Sequence, residues 1–133
     1  MQFIKRYSST FLIILLIFTV PSCTKKPDLK GFDLALWKSD KGGCKNIRFT
    51  QKEALKSLRN ELKSVTENDI GELFGKPDLQ RLGERNQEYY IYFLEPGDHC
   101  QKMNNKTQAK SVAFRFNAMG LTTEVTFQNG VVY

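Results

Sequence analysis

Between residues 111 and 128 apolar side chains recur at every second position, a pattern that antiparallel strands satisfy and helices do not. Val112, Phe114 and Phe116 alternate with Ser111, Ala113, Arg115 and Asn117. After Asn117-Ala118-Met119-Gly120, Leu121, Thr123, Val125 and Phe127 alternate with Thr122, Glu124, Thr126 and Gln128. Successive strand side chains point to opposite faces, so each run has one apolar and one polar face. Two such runs around a Gly-containing turn predict a hairpin with one face against a core. Arg115 and Glu124 fall on the wet face, where cross-strand pairing of opposite charges is expected.

A further strand is predicted over Tyr89-Tyr90-Ile91-Tyr92-Phe93-Leu94, aromatic and β-branched, ended by Pro96-Gly97-Asp98. Its alternation sets Tyr90 and Tyr92 on one face and Tyr89, Ile91 and Phe93 on the other. Two coverings are open. Helices can cover one set while the polar segment 101–110 covers part of the other. Alternatively, Tyr90 and Tyr92 form an exposed aromatic patch for a protein partner, since tyrosine is enriched at interfaces. Asn129-Gly130 turns the chain, and Val131-Val132-Tyr133 is expected to return as a short edge strand.

Upstream the period becomes helical. Thr50-Gln51-Lys52-Glu53 has capping-box spacing, and Leu55, Leu58, Leu62 and Val65 follow at helical intervals, predicting a helix from about 51 to 65. Lys52, Lys56, Arg59, Asn60 and Lys63 would cover its wet face. Thr66 caps a second, short helix with Ile70, Leu73 and Phe74 as its stripe. Gly75 takes the left-handed position after it, and Pro77 prevents continuation. Phe32, Leu34, Leu36 and Trp37 form a short cluster, either a strand or a segment docking the only Trp into the core. The expected fold is α+β in the order ααβββ: two helices on a three-stranded antiparallel sheet, with 131–133 as a fourth strand.

The N-terminus supplies an address. Lys5 and Arg6 precede the apolar run Phe11–Val20, and Val20-Pro21-Ser22 leads into Cys23. This resembles a bacterial lipoprotein signal peptide with its lipobox at Cys23. The run is about half of the roughly 20 residues that span a bilayer. Residues 1–22 are thus read as signal, 23–31 as a lipidated tether and 32–133 as one small domain. Lipoprotein maturation adds several acyl chains to the cysteine, which makes an anchor durable. Thr24 is not Asp, and by resemblance to known sorting rules this places the protein at the outer membrane, facing the periplasm. Two of the 20 basic residues and none of the 14 acidic ones precede Cys23, leaving a mildly basic net charge of +4. The charges are scattered along the sequence, and no nucleic-acid role is expected.

With Cys23 assigned to lipid, Cys44 and Cys100 remain as an even pair. An oxidising periplasm favours a disulfide between them, worth roughly 4 kcal/mol by loop-closure entropy; two buried free thiols are the alternative.

No catalytic set is evident. His99, the only histidine, neighbours Cys100, but adjacent side chains at a strand end point apart, and a bridged cysteine is no nucleophile. One His with two separated Cys is poor provision for a metal, and no metal or cofactor is expected. Asp28, Asp33 and Asp40 are too scattered for a calcium loop. Gly42-Gly43 lacks the strand and Lys-Ser/Thr of a phosphate loop.

Glu67-Asn68-Asp69-Ile70-Gly71-Glu72-Leu73-Phe74-Gly75-Lys76-Pro77-Asp78 resembles the short second helix and L-x-G-x-P-D turn of the SmpA/OmlA, or BamE-type, lipoproteins. The Tyr-rich strand and the hairpin ending in Phe127-Gln128-Asn129-Gly130-Val131-Val132 are also similar. The same ααβββ order occurs in the wider class of β-lactamase-inhibitor-like domains. Gly75 and Pro77 match as structural turn residues. The region around Trp37 and Cys44 and the segment 101–110 lie outside the family pattern. The resemblance implies a non-enzymatic accessory in the assembly of outer-membrane proteins, binding an envelope protein. The alternative is a periplasmic ligand-binding or enzyme-inhibitor module of the same fold.

Overall fold

A computed structural model describes residues 26–131. Cys23, the signal segment before it and Val132-Tyr133 lie outside the described residues. One sheet of four antiparallel strands runs in the order β1 (Leu79–Leu82), β2 (Glu88–Phe93), β3 (Lys110–Phe116) and β4 (Thr122–Asn129). Among the described residues four short α-helices precede it: α1 (Leu34–Ser39), α2 (Ile47–Thr50), α3 (Lys52–Ser57) and α4 (Glu67–Phe74). The architecture is α+β with the helices N-terminal, but the fourth strand is β1, inserted before the Tyr-rich strand. Val131, the described part of the expected 131–133 strand, belongs to no strand.

The hairpin predicted from period two is present, with Arg115 opposite Glu124 and an ion pair of 3.1 Å between them. Its alternation is broken once. Arg115 faces Glu124 but Phe116 faces Thr122, so Thr123 is the extra residue of a β-bulge. Thr122 is consequently buried and Thr123 exposed, the reverse of the simple alternation. The reason lies at the sheet's edge: Ser64 N–H donates to Thr122 O at 2.8 Å, and Thr122 N–H and Oγ1 donate to Val65 O at 2.9 and 2.8 Å.

That attachment also shortens the helix expected over 51–65. Regular α3 ends at Ser57, loose turns carry the fully buried Leu62, and Ser64 turns at φ +64° toward β4. The capping box does not form either. The chain is already helical at Ile47–Thr50, where Thr50 Oγ1 donates to Ile47 O, and Gln51 caps α3 without a side-chain bond. α4 follows expectation, with Thr66 Oγ1 accepting from Asp69 N–H at 3.1 Å. Gly75 ends it at the positive φ expected, +84°, but with ψ 179° rather than the left-handed helical value, an extended conformation that favours glycine.

The core lies between helices and sheet. Trp37, Leu55, Leu62, Ile70, Phe74, Tyr92, Phe114 and Phe116 are wholly buried there. The aromatic rings meet at angles, as in Trp37 with Phe74 at 5.7 Å and Tyr92 with Phe114 at 5.7 Å. Such pairs add roughly 0.5–1.5 kcal/mol beyond area burial. The other face of the sheet holds a second cluster of Leu79, Ile91, Phe93, Ala109 and Ala113, with Met103 packed on it. Both faces of β2 are thus covered, one by helices and one by the return connection to β3.

Candidate functional site

A buried polar network among the described residues is structural. Asp40, wholly buried, accepts the N–H groups of Lys45, Ile47 and Arg48 at 2.7–3.0 Å and so starts α2. Arg48 turns inward, its NH1 2.6 Å from Asp78 Oδ2 and its Nε 3.2 Å from Trp37 O. Asp78 also accepts from Gly42 N–H and Phe93 N–H at 3.0 and 2.8 Å. The aspartate of the L-x-G-x-P-D turn therefore joins the N-terminal helices to β2. Gly75 and Pro77 bring the chain to it. Nothing in the sequence around Arg48 separates it from an ordinary surface arginine.

Tyr92, expected as a candidate partner surface with Tyr90, is wholly buried. Its ring lies among Trp37, Phe74 and Phe114, and its hydroxyl donates to Gly75 O at 2.8 Å. Burial pushes its phenol far above the ordinary range, Arg48 opposing and Asp78 adding to the shift. Tyr90 is half-buried, edge-on to Phe116 at 4.8 Å. The pair faces the helical layer, so the aromatic patch is core.

Cys44 and Cys100 are joined, S–S 2.01 Å, tying the turn between α1 and α2 to the end of β2. His99 and Cys100 lie in a 3-10 turn, Asp98–Cys100, rather than at a strand end. A tight turn does not alternate faces, so His99 Nε2 lies 3.6 Å from Cys100 Sγ. His99 itself is wholly buried and stacked on Phe93 at 3.8 Å.

Two open surfaces stand out. Lys56, Arg59 and Lys63, from α3 and the turns after it, line a groove of about 550 Å³ with Arg115 of β3 and Glu124 of β4. Lys52, Lys56 and Lys110 continue it along an adjoining groove beside Phe127. The single carboxylate of the first groove, Glu124, is already paired with Arg115. Cations scattered in sequence thus form a strip in space. The 56, 59, 63 spacing was legible as one wet helical face, but Arg115 joins only through the sheet register.

The second surface is the turn end of the sheet, where Leu82 and Met119 are 85% and 78% exposed. They share a shallow hollow with Glu67 and Glu88. Burial, then the neighbouring Glu88, raises the Glu67 carboxyl above its ordinary range. Set beside protein-family models, curated proteins and solved structures, the chain matches none, so its function is argued from its own residues and their geometry.

Proposed function

We propose that this protein is a non-enzymatic lipoprotein of the cell envelope, tethered through Cys23, whose domain docks a protein partner with an acidic surface. The observation that carries this reading is the groove of Lys56, Arg59, Lys63 and Arg115, with its one carboxylate already paired. Opposite potentials steer encounter and fix register. The remainder of the molecule suits a rigid module: both faces of the sheet are covered and a disulfide clamps the N-terminal turns to it. Outer-membrane location, facing the periplasm, and a role in assembling outer-membrane proteins are the form that the family resemblance gives to this proposal.

Photo-crosslinking from Asn60, at the rim of the groove, tests it in intact cells. An acidic envelope protein is expected in the crosslink, lost in a Lys56→Glu/Arg59→Glu/Lys63→Glu chain. Crosslinks to lipid alone, or to the same protein after charge reversal, would remove the groove from the interaction. Palmitate labelling tests the anchor separately: Cys23→Ser is expected to lose the label and leave the membrane fraction.

A further inference from the structure

The corner closed by the disulfide carries a second ligand chemistry. Cys44 Sγ, His99 and Cys100 Sγ offer ligand atoms that all lie within 4.8 Å of one another. We propose that, with the bridge reduced, these three side chains bind a thiophilic metal ion such as Zn²⁺ or Cu⁺, so that bridge and metal are alternative clamps on one corner.

Four observations support this. First, the spacing fits. On a tetrahedral zinc with Zn–S about 2.3 Å and Zn–N about 2.0–2.1 Å, sulfur and nitrogen ligands stand about 3.6 Å apart. His99 Nε2 and Cys100 Sγ are already 3.6 Å apart. Cys44 and Cys100, on Cα atoms 5.8 Å apart, need only side-chain rotation to open toward the same ion.

Second, a neighbour can give way. Gly42 sits at φ +73°, and a Cβ there would lie 3.1 Å from Cys44 Sγ, 3.2 Å from Met103 Cε and 3.8 Å from His99 Cδ2. The corner is thus closely packed, and the methyl at the end of the flexible Met103 side chain is the group that moves aside for an ion. Third, the histidine is poised. Its Nε2 donates to Gly42 O at 2.7 Å, while Nδ1 is buried without a partner. Moving that one proton from Nε2 to Nδ1 leaves on Nε2 a lone pair in the direction of the former N–H, so the ion takes the place of Gly42 O as its partner, with Cys100 Sγ 3.6 Å away. Fourth, charge balances. Two thiolates and a neutral imidazole around Zn²⁺ sum to zero, which suits a site resting on a buried ring.

The steps balance as follows. A dithiol reductant attacks the bridge and leaves as its own disulfide, giving Cys44–SH and Cys100–SH. The ion then displaces both thiol protons to solvent, and the His99 proton only changes nitrogen. Cys100 is exposed, so the bridge is open to attack. Three protein ligands leave a fourth position for water or for an exogenous donor.

The test uses the Cys23→Ser chain, so the outcome is independent of lipidation at Cys23. After reduction with a phosphine, Co²⁺ is expected to give thiolate charge-transfer and intense tetrahedral d–d absorption, saturating at a single ion per chain and bleached by Zn²⁺. Zn²⁺ is expected to raise the thermal midpoint of the reduced chain, followed by Trp37 emission, by at least about 5 °C, and to leave the bridged chain unchanged. Cys44→Ser or Cys100→Ser should abolish the bands. His99→Asn, checked for its fold in the bridged form, should weaken binding at least about tenfold, since even outer-shell partners are worth that much. The proposal is overturned by a folded reduced chain without Co²⁺ bands, by a reduced chain that Zn²⁺ does not restore, or by undiminished affinity in His99→Asn.

Discussion

Single residues decide how firmly the two halves of this molecule are joined. Arg48 and Asp78 are almost wholly buried, and each also bonds main-chain groups from other segments. Removing one partner of a buried pair leaves an uncompensated charge, which costs about 3–5 kcal/mol. Asp78→Ala is therefore expected to lower unfolding free energy by that amount in urea titration. Replacing both partners with apolar residues of similar volume should cost less. Tyr92 gives a pH signature. Its folded-state pKa is raised, so the stability it confers is complete below the unfolded tyrosine value of about 10 and is lost as pH rises beyond it. Tyr92→Phe is expected to remove part of that alkaline loss while costing about 1–2 kcal/mol at neutral pH, because Gly75 O loses its donor. Glu67 has the opposite practical use: Glu88→Gln should bring its NMR titration midpoint down toward the ordinary glutamate range, and an unmoved midpoint would assign the shift to burial alone.

At the scale of elements, β2 is the piece that everything else covers, and the disulfide holds the cover on its second face. Gly43 packs directly behind the end of β2, where a Cβ would come within 2.6 Å of Phe93 O. Loss of the bridge in a Cys44→Ser/Cys100→Ser chain should cost about 2–5 kcal/mol. Amide exchange should rise first over 98–109, the connection that covers Ile91 and Phe93, and last in β3. The strands with clean alternation were legible in the sequence because a half-buried strand must alternate. β1 was not, since Leu79-Gln80-Arg81-Leu82 is four residues long and its Leu82 stays in solvent. The capping signal at Thr50 misled because Asp40, ten residues earlier, had already satisfied the N–H groups that start the helix. Tyr92 could not be sorted into core or surface by alternation alone, because both faces of its strand are covered. His99 beside Cys100 looked divergent only under strand geometry, and a tight turn reversed that.

For the molecule as a whole, charge distribution matters more than net charge. A balance of +4 over residues 23–133 is modest, yet Lys56, Arg59, Lys63 and Arg115 bring cations together on one side. The described residues begin at Lys26, whose ammonium lies 2.5 Å from Glu72 on α4, and Pro27 lines a hollow with Lys63. The tether thus leaves the domain near one end of the basic strip. Under the proposed anchoring through Cys23, a partner docked there would be held close to the membrane. Lys56→Glu/Arg59→Glu/Lys63→Glu shifts the balance from +4 to −2 without touching the core. Thermal stability should therefore change by no more than about 1 kcal/mol, as surface substitutions do. Capture of an acidic partner should instead collapse, mainly through slower association. The same loss should appear in the unaltered chain as salt rises from 0.1 M toward 1 M, where screening shortens from about 10 Å to about 3 Å. Capture that survives both charge reversal and high salt would move the docking surface to the Leu82 and Met119 end of the sheet, where apolar contact is indifferent to salt.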